Sequence, residues 1–218
     1  TTHSLLTSIH SIGDYCICSL RKWFPIPDGG VLYSKQKILL SDYVEENEWH
    51  LKKHKAMKLK KNFLEGQHID KEEFLLSFAQ CEKALDRQKQ VYRISDISRK
   101  ILHNIDIETT KVIRCRNVAR LDRFFLEKNV KRCAMRSIGQ VPLFYTILVD
   151  NRDYIKKWMI ENRIYCPVHW PLYDEIKIFQ DSVYNNAHEL SIPIDQRYTC
   201  DDMDYIVEIF QKMEEKYD

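Results

Sequence analysis

The twelve residues Ser19-Leu20-Arg21-Lys22-Trp23-Phe24-Pro25-Ile26-Pro27-Asp28-Gly29-Gly30 constrain the fold of this chain most. They hold two of its five glycines and two of its six prolines, residues that end regular structure and permit tight turns. The apolar, β-favouring run Asp14-Tyr15-Cys16-Ile17-Cys18 leads into them, and Gly30-Val31-Leu32-Tyr33-Ser34 leads out. The segment therefore reads as strand, turn and returning strand. Within the turn a serine and a lysine stand three residues apart, and an aromatic pair follows. Taken alone, Ser-x-x-Lys is the pattern of a solvated turn. A lysine held among aromatic groups and freed of its proton is, by contrast, a nucleophilic amine.

The rest of the chain divides by periodicity. Residues before the first strand read as helix or loop. From 42 to about 129 the pattern is helical. Glu45, Glu46 and Glu48 open a helix that turns lysine-rich and stops near Gly66, which suits the helix dipole at both ends. Phe74, Leu75, Phe78, Ala79 and Leu85 recur at helical spacing in 69–90. Ser95-Asp96-Ile97-Ser98 can cap a short helix ending near Asn104. Val112, Cys115, Val118, Leu121 and Phe125 line one side of 108–129. After Gly139 the period changes: 141–149 reads as a strand with Pro142 near its start, 151–163 as a helix, 164–170 and 188–195 as strands, and 201–216 as a terminal helix. The expectation is an α/β chain in three parts, 1–41 with the lysine turn, 42–136 as a helical connecting section, and 137–218 as a small α/β domain.

Composition narrows the function classes. A chain of 218 residues, 44% apolar and 30% charged, is long enough for a real core and is neither disordered nor fibrous. A net charge of +2 sets up no strong field toward nucleic acid or anionic lipid. The longest largely apolar stretch, 141–149, is too short to span a bilayer. Seven cysteines without a disulfide framework and the absence of any Asn-x-Ser/Thr sequon point to a reducing cytoplasm.

The Ser19-to-Gly30 layout resembles the cofactor-lysine segment of fold-type-I pyridoxal-phosphate enzymes. The likeness continues in Ile164-Tyr165-Cys166-Pro167-Val168-His169-Trp170-Pro171 and Leu190-Ser191-Ile192-Pro193-Ile194-Asp195-Gln196-Arg197-Tyr198. These are similar to the two small-domain strands of the DegT/StrS branch, the sugar aminotransferases and their relatives. His3 fits the last position of the branch's Asp-x-x-His motif, whose aspartate would fall one residue before Thr1. The resemblance thus implies the C-terminal part of a pyridoxal-phosphate-dependent transferase fold: a remnant of the large domain, a helical section and a small α/β domain. It also implies a fragment with weak or no activity alone, because that aspartate keeps the cofactor ring an effective electron sink.

By the same resemblance Lys22 would form a Schiff base with pyridoxal 5'-phosphate and act as general acid and base in amino transfer. Ser19 would bond the cofactor phosphate, and Gly29 and Gly30 would let the backbone pass close by. Arg21 would contact phosphate or favour the neutral Lys22 amine by like charge. Trp23 and Phe24 would wall the pocket or belong to the core. His169 would border the site's mouth, and Arg197 would grip an anionic substrate group through its forked guanidinium. The partners implied are an amino donor, a small-molecule acceptor such as a nucleotide-sugar, and a second copy in a homodimer. Transamination and elimination both stay open.

Two other readings stand beside this one, a non-catalytic dimerisation or scaffold remnant of the same fold and a basic helical nucleic-acid-binding module. The last would use Lys52, Lys53, Lys55, Lys58, Lys60 and Lys61, although a solvated helix face describes that run better. His50 and His54 stand at i, i+4, but no carboxylate or cysteine on that turn completes a metal site, and no metal is expected. Cys16 and Cys18 read as small buried thiols beside Lys22.

Overall fold

The structure, a computed structural model, describes residues 3–7, 13–38, 45–133 and 139–215. The chain forms two compact units that divide in sequence between Ile105 and Asp106, with Leu6 and Thr7 counted in the second. The expected boundaries at 41/42 and 136/137 lie outside the described residues.

The first unit opens with a two-stranded antiparallel ribbon, β1 (Tyr15–Ser19) and β2 (Gly30–Ser34), in the register Tyr15↔Ser34 to Ser19↔Gly30. Three helices follow, α1 (Trp49–Leu64), α2 (Lys71–Asp86) and α3 (Asp96–His103). Short polar side chains accept backbone N–H groups at the helix starts, at Ser95 as the sequence indicates. Asp70 accepts the Glu72 N–H at 2.9 Å, and Ser95 accepts the Ser98 N–H at 3.2 Å. The α1/α2 pair buries Ala56, Phe74 and Cys81, while Cys18, Leu20, Trp23, Phe24 and Ile26 are buried at the ribbon and its turn. From 45 to 129 the described residues are helical apart from short connections and one isolated bridge, Glu46 with Arg93.

The second unit carries α4 (Ile107–Glu127), the three-stranded antiparallel sheet β3 (Lys131–Arg132), β4 (Phe144–Leu148) and β5 (Glu189–Pro193), and the helices α5 (Arg152–Glu161), α6 (Gln180–His188) and α7 (Cys200–Glu215). Alternation along β5 sends Leu190 and Ile192 to one face and Glu189 and Ser191 to the other. Leu190 and Ile192 join Leu121 and Phe125 of α4 and Met203 and Phe210 of α7 in the core. Phe125 stands edge-on to Phe210 at 5.0 Å between ring centroids.

The segment 164–170 is not the strand expected. Pro167 at its centre lacks a ladder donor and Pro171 follows its end, and it meets β5 through the Ser191 N–H to Pro167 carbonyl bond, 3.1 Å. The stretch 172–187, unassigned from sequence, carries a short 3-10 turn, Asp174–Ile176, and α6, whose last residue, His188, takes the first position of the expected 188–195 strand. It keeps Tyr173, Ile178 and Phe179 exposed. No disulfide links any of the seven cysteines. Among the described residues no helix is long and apolar enough to cross a membrane.

Candidate functional site

Lys22 ends a 3-10 turn, Leu20–Lys22, that follows directly on β1. The turn is closed by the Trp23 and Phe24 N–H groups, both bonded to the Leu20 carbonyl at 3.0 Å. Trp23 is 2% and Phe24 6% exposed, so the aromatic pair belongs to the core and does not wall a pocket. Lys22 itself is exposed and, among the described residues, forms no ion pair. The strand-then-turn placement matches the sequence reading, whereas an amine enclosed beside Ser19 does not.

Ser19, half-buried at the end of β1, stands opposite Gly30 and does not cap the 3-10 turn. The Leu20 N–H reaches the Gly29 carbonyl at 3.2 Å and closes the loop on itself. Gly29 has φ +121°, and a Cβ there would lie 2.7 Å from Ile94 Cδ1. Glycine suits this position by conformation, and a Cβ would in addition make the end of the Ile94 side chain shift. Asp28, which precedes it, is buried, and its carboxylate is surrounded by donors. Oδ2 accepts from Asn47 Nδ2 at 2.9 Å and the Ser95 N–H at 3.0 Å, and Oδ1 accepts from the Ser95 hydroxyl at 2.7 Å and the Ser98 hydroxyl. Asp28 was not among the residues singled out from sequence, where it reads as an ordinary turn residue before glycine.

Arg21 turns away from the role of a bare cation. Its Nη1 donates to Glu82 Oε1 at 3.0 Å, and Lys53 Nζ donates to the same oxygen at 2.5 Å. Both cations lie over the Trp49 ring, at 6.0 and 5.7 Å from its centroid. Burial lowers the Lys53 ammonium below its ordinary value, against the opposing effect of its hydrogen bond to Glu82. Burial alone would raise Glu82, but Lys53 and Arg21 outweigh it and hold the carboxyl low. The lysine run of α1 is accordingly broken up, with Lys53 buried on Glu82, Lys55 3.6 Å from Glu73 and Lys61 3.6 Å from Glu65. His3 belongs to the first unit and is half-buried. Among the described residues no group of three or more His, Cys, Asp or Glu side chains is placed to hold a metal.

His169 and Arg197 belong to the second unit. The polar face of β5 fixes His169: its N–H donates to Glu189 Oε2 at 2.9 Å, and its Nδ1 lies 3.1 Å from Ser191 Oγ. Ser191 donates to Glu189 Oε1 at 2.6 Å, and Thr146 Oγ1 lies 3.1 Å from Ser191 Oγ. Glu189 and Ser191 are buried, and their i, i+2 spacing on a strand was the signal that could have found them.

Arg197 is already clamped on Asp195, Nε to Oδ1 at 2.8 Å and Nη2 to Oδ2 at 2.7 Å, with its guanidinium 5.6 Å from the Tyr198 ring centroid. The hydrogen bond raises the Arg197 guanidinium above its ordinary value. Burial pushes Asp195 up, but the Arg197 bonds prevail and the carboxyl lies below the usual range. A second arginine was missed. Arg114 is 1% exposed and donates to the Pro142 and Leu143 carbonyls at 3.2 and 3.0 Å and to Gln196 Oε1 at 3.1 Å. Burial lowers it to about 10.

No family model and no curated protein matches the sequence. Solved structures do match the fold. A protein described as a sugar aminotransferase, Spr1654 from Streptococcus pneumoniae in its PMP form, superposes with a TM-score of 0.60 at 17% identity over 99% of this chain and 56% of that one. A DegT DnrJ EryC1 StrS aminotransferase from Brucella abortus gives 0.53 at 16% identity, over 93% and 51%. The sugar aminotransferase CalS13 from Micromonospora echinospora gives 0.54 at 13% identity, over 92% and 52%. The chain spans about half the length of the structures it matches.

Proposed function

We propose, from the premise that this chain has the fold of about half of a DegT/StrS sugar aminotransferase, that it is the lysine-bearing, C-terminal part of a pyridoxal-phosphate-dependent aminotransferase-like protein. The observation that carries the reading is Lys22, an exposed primary amine at the end of β1 on a loop anchored by buried side chains. The donor set fits the group: an amine, the Ser19 hydroxyl one turn earlier, and the Gly29-Gly30 backbone opposite the end of β1. Bound there, pyridoxal phosphate supplies an aldehyde and an electron sink. Lys22 Nζ would hold the cofactor and then take a proton from the Cα of the amino donor. Ser19 Oγ would donate to the phosphate, with His3 and Arg21 beside it, provided Arg21 leaves Glu82. His169 and Arg197 would face a small-molecule acceptor of the sugar class, and two copies would assemble as a homodimer in the cytoplasm.

Adding pyridoxal phosphate to the protein is expected to produce a visible absorbance band that is lost in Lys22→Ala. A band that survives the substitution refutes the assignment to Lys22.

The commitment of Arg21 to Glu82 and of Arg197 to Asp195 favours a second reading, a non-catalytic member of the same fold. No band in the wild-type protein supports that reading against the first.

A further inference from the structure

Lys22 is presented by a loop whose stiffness has an identifiable source. Trp23, Phe24 and Ile26 within it are buried, and the Leu20–Gly29 backbone bond closes its neck. At the far end sits Asp28, 3% exposed. Its two oxygens accept four donors, two each, which saturates the about four lone-pair positions of a carboxylate. Among the described residues these donors are all neutral, so Asp28 is held by directional bonds and not by an ion pair. The partners lie 19, 67 and 70 residues away in sequence, unlike the local backbone groups that a turn aspartate usually engages. They are also the groups that start two helices. The Ser95 hydroxyl accepts the Ser98 N–H at the head of α3, and Asn47 Oδ1 accepts the His50 N–H at the head of α1, 2.9 Å. A single buried carboxylate thus fixes the lysine loop to two helix N-termini.

We propose that Asp28 is a positioning residue for Lys22, holding the loop so that the amine is preorganised for reaction with an aldehyde. The inference rests on the function proposed for Lys22. A reacting group on a loop needs supporting hydrogen bonds to keep its geometry, and in this loop Asp28 supplies them. Asp28→Asn preserves size but turns an amide N–H₂ toward donors, leaving at least one of them unpaired.

The experiment is reductive trapping: pyridoxal phosphate is added, borohydride reduces the adduct, and mass spectrometry gives the share of label on Lys22 relative to the exposed Lys58 and Lys60. The wild-type protein is expected to label Lys22 preferentially, and Asp28→Asn to lose about tenfold of that preference, the scale of one lost buried hydrogen bond. Ser98→Ala, which removes one donor only, is expected to lose about threefold and covers the case in which Asp28→Asn does not fold. Phe74→Leu, a core change on α2, is expected to lower stability and leave the preference intact. Amide exchange at Leu20, read without cofactor, should accelerate in Asp28→Asn and not in Phe74→Leu. Unchanged preference in Ser98→Ala and Asp28→Asn overturns the role of Asp28 while leaving Lys22 as the reactive amine. No preference for Lys22 in the wild-type protein overturns both.

Discussion

Arg197 and Asp195 form a two-bond clamp, with Nε–Oδ1 at 2.8 Å and Nη2–Oδ2 at 2.7 Å. Because Arg197 holds the folded-state Asp195 carboxyl below its ordinary value, the stability it contributes is present above the ordinary carboxylate range. It disappears as pH falls through the depressed folded value. The Arg197 side chain is 70% exposed, so solvent limits the effect to at most about 1 kcal/mol. Arg197→Ala should lower stability by that amount in urea melts at neutral pH, and the two proteins should converge in acid. An equal loss at both pH values contradicts the clamp.

Gly29→Ala tests the loop that carries Lys22. The φ of +121° is strained for any side chain, and the new Cβ would press on Ile94. A loss of about 1–3 kcal/mol is expected. Gly66→Ala, at φ +85° in open space, should cost about 1–2 kcal/mol and serves as the comparison. Equal losses at the two positions would mean that the Ile94 contact yields freely.

In the second unit, Phe125→Ala removes a ring that is 1% exposed and packs on Phe210 and Tyr145, at 5.0 and 5.6 Å between centroids. Deleting a buried phenyl costs about 3–5 kcal/mol. A calorimetric loss below about 1 kcal/mol would show that the neighbouring side chains close the cavity.

The ribbon exposes apolar side chains, Tyr15 at 59%, Ile17 at 67%, Val31 at 39% and Leu32 at 47%. Contiguous apolar surface drives association. Sedimentation is expected to show a dimer or larger species whose population grows with concentration and shrinks in Ile17→Lys. A monomer at every concentration contradicts both the expectation and the homodimer proposed for this chain.

Much of this architecture is legible in sequence because it is local. Asp70 and Ser95 cap helices with their own neighbours, and the Pro-rich turn between two apolar runs can hardly be other than a loop between strands. What escapes is whatever depends on partners distant in the chain. Asp28 looks like a turn residue until Ser95 and Ser98 come beside it. Arg21 looks like a free cation until Glu82 arrives from α2. Arg197 is a different case, a local one: Asp195, two residues before, already holds it. The 164–170 segment has strand-like composition, yet Pro167 interrupts any ladder at its centre. Periodicity identifies α4 as a helix but carries no information that it packs in the second unit.

The most direct measurement is the identity of the lysine that pyridoxal phosphate modifies. After borohydride reduction and digestion, the label is expected on the peptide containing Lys22, with Lys22→Arg abolishing it and Lys58→Arg leaving it unchanged. Label spread over the exposed lysines of α1 in proportion to their accessibility, with no preference for Lys22, would contradict the proposal that this chain carries the reactive amine of an aminotransferase.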